Sequence, residues 1–337
     1  RNRIGESGIE LILKESIRVN GNDSNDSTAS IDTTVQEKNI TFPTDSKLHR
    51  KIIDKCRNIA EKENLPVRQS YTRTLKKLSL DQRFRNHPRN KWKARKADRK
   101  EKTIAGRLVR ELERNLSPDS RYQSDIDLFK RILNQKKSDK NKIYSVHEPD
   151  VQCISKGKEH KKYEFGNKVS IIYTQTTGVI IGALGFRNPY DGHTIEPALE
   201  QTERLLGKRT LKTLIGDRGY KGKRQINDTT IEIPKPFNNR KQSQYQQNKL
   251  KKQFRKRAAI EPINGHLKTD HRLNRNFYKG ITGDNINVML AAAAFNFKRM
   301  MNKWKSSFWL EFKIQIVDLI KAMFYQINNN IIRKWAF

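Results

Sequence analysis

Residues 168–186 read Lys-Val-Ser-Ile-Ile-Tyr-Thr-Gln-Thr-Thr-Gly-Val-Ile-Ile-Gly-Ala-Leu-Gly-Phe. Two β-branched runs, Lys168–Thr174 and Val179–Phe186, flank the break Gln175-Thr176-Thr177-Gly178. Such runs joined by a short polar, Gly-containing break form a β-hairpin. Downstream, Thr194–Leu206 places apolar residues at 195, 198, 199, 205 and 206, a helical spacing that stops at Gly207. Leu211–Gly216 then reads as a buried strand ending at Asp217, and Thr229–Ile233 as another strand. Upstream, Ser30-Ile31-Asp32-Thr33-Thr34-Val35 is a short strand. Between it and the hairpin, from about Ser46 to Lys142, the chain turns to long charged helical stretches. The order is strand, helical insert, hairpin, helix, strand, strand, helix. A hairpin followed by a right-handed crossover to a parallel strand builds a mixed sheet with helices on its faces. The fold class is therefore α/β, interrupted by a largely helical insertion at about 48–140.

The ends differ in character. Residues 1–19 have a helical pattern (Ile4, Ile9, Ile12, Ile17), and 20–30 form a polar linker. The chain starts at Arg1 in that pattern, so 1–25 are expected to be the remnant of a longer N-terminal helical region with its linker. Residues 26–305 make up the main domain, helical at its end to about Lys305. Residues 306–337 form an apolar C-terminal tail, either a docking helix or a frameshifted remnant.

Seventy Lys+Arg against 36 Asp+Glu in 337 residues leave a formal charge of +34. A hydrophobic content of 34% is too high for a fully disordered chain. The charge calls for a polyanionic partner, a nucleic acid or an acidic membrane surface. No membrane span is expected, because the most apolar stretch, Phe308 to Ile327, is broken by Glu311, Lys313, Asp318 and Lys321. Cys56 and Cys153 make neither a disulfide framework nor a cysteine zinc cluster, which points to a reducing, cytoplasmic setting. The seven histidines show no zinc-ligand spacing. Basic charge is concentrated in two runs. His87–Arg114 holds eleven Lys/Arg against four acids, and Lys235–Arg257 holds nine with no acid.

Three acids stand where such a sheet gathers functional groups. Asp32 lies in the first strand. Asp217 follows a later strand, in Gly216-Asp217-Arg218-Gly219-Tyr220-Lys221-Gly222, and Glu261 lies on a helix. In open α/β sheets the functional crevice lies beyond the carboxyl ends of neighbouring parallel strands. Carboxylates there suit hard divalent cations. Phe254, Arg257, Glu261 and Lys268 are spaced by 3, 4 and 7 residues and share one helical face. That mixture fits a crevice where Glu261 meets a metal while Arg257 and Lys268 meet phosphates. Pro262 requires the helix to kink or begin near it. Asp150, in His147-Glu148-Pro149-Asp150, is an alternative first acid. Asp191 and His193 read as turn residues leading into a helix N-terminus.

The pattern Phe254-x2-Arg257-x3-Glu261-x6-Lys268 resembles the Y-x2-R-x3-E-x6-K signature of bacterial insertion-sequence DDE transposases. The Asp32 and Asp217 motifs resemble that family's first and second acidic positions, and the likeness covers roughly residues 3–305. The resemblance implies an RNase H-like catalytic domain interrupted by an insertion. It implies Asp32, Asp217 and Glu261 as catalytic and metal-binding residues, holding two Mg²⁺ or Mn²⁺ ions that cut and join DNA. The implied partners are double-stranded DNA, as transposon ends and target, and further copies of the chain in a homo-oligomer. Phe254, Arg257, Lys268 and the basic residues Lys249, Lys251, Lys252 and Arg255 are the expected DNA contacts. The sequence departs from the family in carrying Phe254 for the signature tyrosine and in lacking the usual amino-terminal DNA-binding helices. Two other functions fit the residues: a non-catalytic basic nucleic-acid-binding relic, and an RNase H-like nuclease without strand transfer.

Overall fold

The computed structural model describes residues 4–155, 162–207, 211–234 and 243–334, with the backbone alone at some positions of the last segment. The chain forms two compact units. The first comprises residues 1–36, 168–274 and 281–337, and the second comprises 37–167 and 275–280.

In chain order the helices are α1 (Gly5–Arg18), α2 (Asp45–Lys62), α3 (Thr72–Asp81), α4 (Lys91–Asn115), α5 (Gln123–Asn134), α6 (Ile195–Leu206), α7 (Gln244–Arg257), α8 (Ile260–Thr269) and α9 (Gly280–Lys334). The strands are β1 (Thr28–Glu37), β2 (Gln152–Ile154), β3 (Glu164–Thr174), β4 (Ile180–Phe186), β5 (Thr213–Ile215), β6 (Gln225–Ile226) and β7 (Thr229–Glu232). The α/β class with a mixed sheet and a helical insertion is as the sequence predicts.

In the first unit the strands pair in the order β3–β1–β5–β7–β6, with β4 also paired to β3. β3 and β4 form the antiparallel hairpin expected around Gly178, with Ser170 opposite Leu184 and one irregularity at Ile172/Tyr173. β1 and β5 are parallel, with Ser30 opposite Ile215, and β5 and β7 are parallel too. The inner strands are buried on both faces: Ala29, Ser30, Ile31, Leu214 and Ile215 are all fully buried. That is the pattern of a sheet covered on both sides. α6 packs on β4 and ends where Gly207 turns left-handed, at φ 65°. From α9, Asn296 donates to the Ile180 carbonyl and accepts from the Ile180 amide, fixing that helix to β4.

The second unit is built on α4, against which α2, α3 and α5 pack. Along α4 the buried positions are Ala94, Ala97, Glu101, Ile104, Ala105, Leu108, Val109 and Leu112, one face at helical spacing. They meet Ile52, Ile53 and Cys56 of α2 and Phe129 of α5 in one continuous core. Burying a side chain of this size contributes about 1.5–3 kcal/mol. The face is apolar except at Glu101, whose carboxylate must find its partners inside. In the same unit β2 pairs antiparallel with residues 164–166.

Four elements differ from the sequence reading. β1 has ten residues rather than six, because Thr28 and Ala29 pair with β5. β2 and β6 have three and two residues, too short to carry a periodic signal. α9 runs through Lys305 to Lys334, since the apolar tail contains neither Gly nor Pro to stop a helix.

Candidate active site

The parallel pairing of β1 with β5 fixes the first two acids. Ser30 is opposite Ile215, and Asp32 and Asp217 each lie two residues further along. They therefore emerge side by side just past the paired stretch, Asp32 within β1 and Asp217 beyond the carboxyl end of β5, 185 residues apart in the chain.

Arg257 joins them. One guanidinium nitrogen lies 2.9 Å from Asp32 Oδ1 and 3.5 Å from Asp217 Oδ2. The backbone behind it is held by Tyr173 of β3, whose hydroxyl donates to the Arg257 carbonyl at 2.9 Å. Burial pushes that phenol up from its ordinary pKa, so it stays a donor. Asn264 Nδ2 donates to Asp32 Oδ2 at 3.1 Å. Asp217 also caps its own turn, accepting from the Gly219 amide at 2.7 Å.

The signature helix is two helices. α7 stops at Arg257, residues 258–259 turn, and α8 starts at Ile260, with Pro262 in its first turn where no helical amide is needed. Glu261 is exposed on that first turn. Among the described residues no group of three His, Cys, Asp or Glu side chains is gathered closely enough to hold a metal ion. Asp32 and Asp217 thus come together, while Glu261 sits one helical turn from the Asn264 that touches Asp32.

The remaining expected residues fall as follows. Lys251, Lys252 and Arg255 are exposed on α7, and Phe254 is half-buried there; Lys268 is half-buried on α8. The side chain of Lys249 and residues 235–242 of the basic run lie outside the described residues. Asp150, the alternative first acid, is exposed and belongs to the second unit.

Four further side chains enter the site without having been expected there. The single helical face expected for 254, 257, 261 and 268 is broken at residues 258–259, and Asn264 instead continues the α8 stripe of 261 and 268, where filling in the helical spacing could have found it. Asp191 receives a hydrogen bond from Thr33 Oγ1 at 3.1 Å and an ion pair from Lys168 Nζ at 3.0 Å. Tyr220 is fully buried; burial holds its phenol well above the ordinary range, and the charges of Asp32, Asp191 and Asp217 act in the same direction. No sequence signal marks Lys168 or Tyr220, because their role depends on pairings across the sheet.

A mixed sheet flanked by helices, with aspartates side by side on adjacent parallel strands, is consistent with an RNase H-like domain. Residues 142–297, just under half of the chain, match the family model described as transposase DDE domain, so this part of the chain is similar to such domains. The match includes Asp217, Arg257, Glu261 and Lys268, and Asp32 lies before it. The chain is also 38% identical over 94 residues to a Rhizobium meliloti protein described as "Uncharacterized protein ORF8 in nfe locus". That stretch is 26% of this chain and 45% of the relative, so the chain spans less than half of that protein's length. No solved structure matches the chain.

Proposed function

We propose that the chain is a transposase that cleaves DNA at the ends of a mobile element and joins the freed 3′-hydroxyl to target DNA. The observation that carries this reading is the register of β1 against β5, which sets Asp32 beside Asp217 under Arg257. The donor set is entirely carboxylate oxygen, the chemistry that Mg²⁺ and Mn²⁺ prefer. Asp32 and Asp217 would hold the cations, with Glu261 as the third acid. Two divalent ions held there would supply Lewis-acid activation of the attacking and leaving oxygens in an in-line displacement.

The chain's own residues do the rest. Arg257, at the end of α7, and Lys268, on α8, bind the phosphates flanking the scissile bond. Phe254 offers a ring face to sugar or base. Lys249, Lys251, Lys252 and Arg255 neutralise backbone phosphates, which positions the duplex without reading its bases. Asn264 keeps the Asp32 carboxylate oriented. The reaction takes place in the cytoplasm on nucleoid DNA, within a homo-oligomer that brings two element ends together.

The test incubates the chain with Mg²⁺ and DNA flanking its own coding sequence and looks for nicked and joined products. Asp217→Asn and Glu261→Gln should abolish cleavage, because a neutral amide loses the charge that attracts the cation, while DNA binding survives. Retained cleavage in either variant would remove that residue from the site. Cleaved but never joined DNA would identify a nuclease without strand transfer. Binding without any cleavage by the wild-type chain would identify a non-catalytic relic.

A further inference from the structure

Helix α4 has two faces of opposite character. Its buried positions, from Ala94 to Leu112, lie along one side. On the other side Lys96, Arg99, Thr103, Arg107, Arg110 and Arg114 follow one another at intervals of three or four residues, and all are exposed. Trp92, also exposed, stands one turn before Lys96. The stripe thus carries five cations and no acid.

The acids of α4 are engaged elsewhere. Glu101 points into the core of its unit, where it meets Arg50, Ser46 and Gln82. Asp98 accepts from Gln82 and Arg85, each at 2.9 Å. Glu111 accepts from the Arg68 amide at 2.8 Å, and Glu113 pairs with Lys130. Among the described residues no acid forms an ion pair with a cation of the stripe. Like charges three or four positions apart on a helix repel, as 96 with 99, 107 with 110 and 110 with 114 must do here. The first turn adds Lys91 and Lys93 and holds no acid, the reverse of what the helix dipole favours. A bound polyanion would offset both costs.

Shape selects among polyanions. From Trp92 to Arg114 the stripe is about 33 Å long at about 1.5 Å per residue, close to one turn of duplex DNA. A rod of that length and sign can meet phosphates on both sides of a groove, and the major groove is wide enough to admit a helix. A helix lying on an acidic membrane buries an apolar face there, and the apolar face of α4 is already packed on α2 and α5. Single strands are held by rows of stacking aromatic rings, of which the stripe has only Trp92.

We propose that the outer face of α4 is a second DNA-binding surface, which grips the phosphates of duplex DNA through Lys96, Arg99, Arg107, Arg110 and Arg114. The inference goes beyond the proposed function, because the surface lies in the helical unit and contains none of the residues assigned there to cleavage or to DNA contact.

The experiment titrates binding of the full chain to a duplex of arbitrary sequence between about 50 and 200 mM salt, without divalent cations so that no strand is cut. Each phosphate neutralised contributes about −0.9 to the slope of log K against log salt. Replacing the five stripe cations with glutamine should flatten the slope by up to about 4.5. A control variant loses the same charge at Lys62, Arg131, Lys136, Lys137 and Lys140, exposed cations of the same unit outside α4, and should keep a slope close to that of the wild type. Glutamine suits a helix about as well as lysine or arginine, so the unfolding temperature should not fall. Should the fivefold variant fail to fold, replacing Arg107, Arg110 and Arg114 alone decides, with a flattening of up to about 2.7. Equal slopes in the stripe and control variants overturn the proposal, and so does a loss confined to single-stranded DNA or to phosphatidylserine vesicles. Cleavage in Mg²⁺ is scored separately. A wild-type chain that cuts DNA while the two variants bind alike leaves the proposed function standing without this surface. One that never cuts, while the stripe variant alone loses duplex binding, leaves this surface standing without the proposed function.

Discussion

Two arginine–carboxylate centres, one in each unit, use the same groups to opposite ends. In the helical unit Glu101 is fully buried, and Arg50 pairs with its Oε1. Oε2 accepts from Ser46 Oγ at 2.7 Å and Gln82 Nε2 at 2.8 Å. Arg50 spends its remaining donors on the Leu75 carbonyl and on Ser79 Oγ at 3.0 Å. Both Glu101 oxygens and all three Arg50 nitrogens are taken. In the sheet unit Arg257 bridges Asp32 and Asp217, yet Asp217 keeps 42% of its side-chain exposure. Among the described residues, Arg257 Nε and Asn264 Oδ1 are buried without partners. A centre whose acid and arginine have closed their bonds fits a role in folding, while one that leaves Asp217 partly open to solvent and polar atoms unspent fits the proposed role in binding.

The comparison predicts a crossed pattern of effects. The largest belongs to the open centre. Asp32→Asn should lower the cleavage rate by about three orders of magnitude or more, corresponding to about 4 kcal/mol of lost transition-state stabilisation. The same change should leave unfolding in urea within about 1 kcal/mol of wild type, because Arg257 keeps the Asp217 carboxylate as a charged partner at 3.5 Å. Combining it with Asp217→Asn should make cleavage no worse, since groups that act as a unit are not additive. An additive loss would show that the two aspartates work separately.

Next in size is the closed centre. Glu101→Gln should destabilise the helical unit by about 2–3 kcal/mol, because it strips charge from a buried pair and leaves Arg50 uncompensated. The effect is held to this range because Arg50 keeps 26% of its side-chain exposure. Urea unfolding measures it. A variant as stable as wild type would mean that the closed network contributes geometry rather than stability.

The sequence reveals the two centres unequally, for reasons that lie in range. The hairpin, β5 and the turn after it are legible because β-branched runs and Gly-Asp-Arg-Gly are local signals. Pro262 announces the break between α7 and α8, and that break divides 254 and 257 from 261 and 268, which spacing alone puts on one face. Asp191 is hidden by its own local chemistry. Asp-Gly-His-Thr reads as a turn and is one, while its carboxylate is bound by Thr33, 158 positions away. Glu101 is hidden too: among the charges of a basic helix nothing marks it as the one that points inward, except that it falls in the i, i+3, i+4 series of Ala97, Ile104 and Ala105. The tail of α9 has no partner element in its sequence neighbourhood, so pattern alone left its role open.

A third effect sharpens the contrast through salt. Lys251, Lys252 and Arg255 are exposed on α7, and each phosphate they neutralise should contribute about −0.9 to the slope of log K against log salt on duplex DNA. Replacing all three with glutamine should flatten that slope by up to about 2.7, on every DNA sequence alike. Titrating binding between 50 and 200 mM salt on an element end and on unrelated DNA checks it. A loss confined to the element end would show that this helix reads bases rather than phosphates.

The smallest effect returns to the closed centre, as a dependence of its stability on pH. His49 of α2 is buried, and its Nδ1 has no partner among the described residues. Burial is the main cause that lowers its pKa from 6.5; Lys102 acts in the same direction, while Asp45, Glu101 and Asp98 oppose it. In the folded chain the ring therefore resists protonation, whereas in the unfolded chain it takes up a proton near its ordinary value. A depressed native pKa means that the unfolded state binds the proton first, so the contribution is complete above pH 6.5 and is lost as pH falls through the native pKa. The urea midpoint should drop between pH 7.5 and pH 5.5, and His49→Gln should reduce that drop. His147 and His271 are also shifted down by burial and remain in the variant, so only the difference between the two titrations reports on His49. Identical pH dependence in the two proteins would mean that the acids around His49 fully offset its burial, and the closed centre would then be insensitive to mild acid.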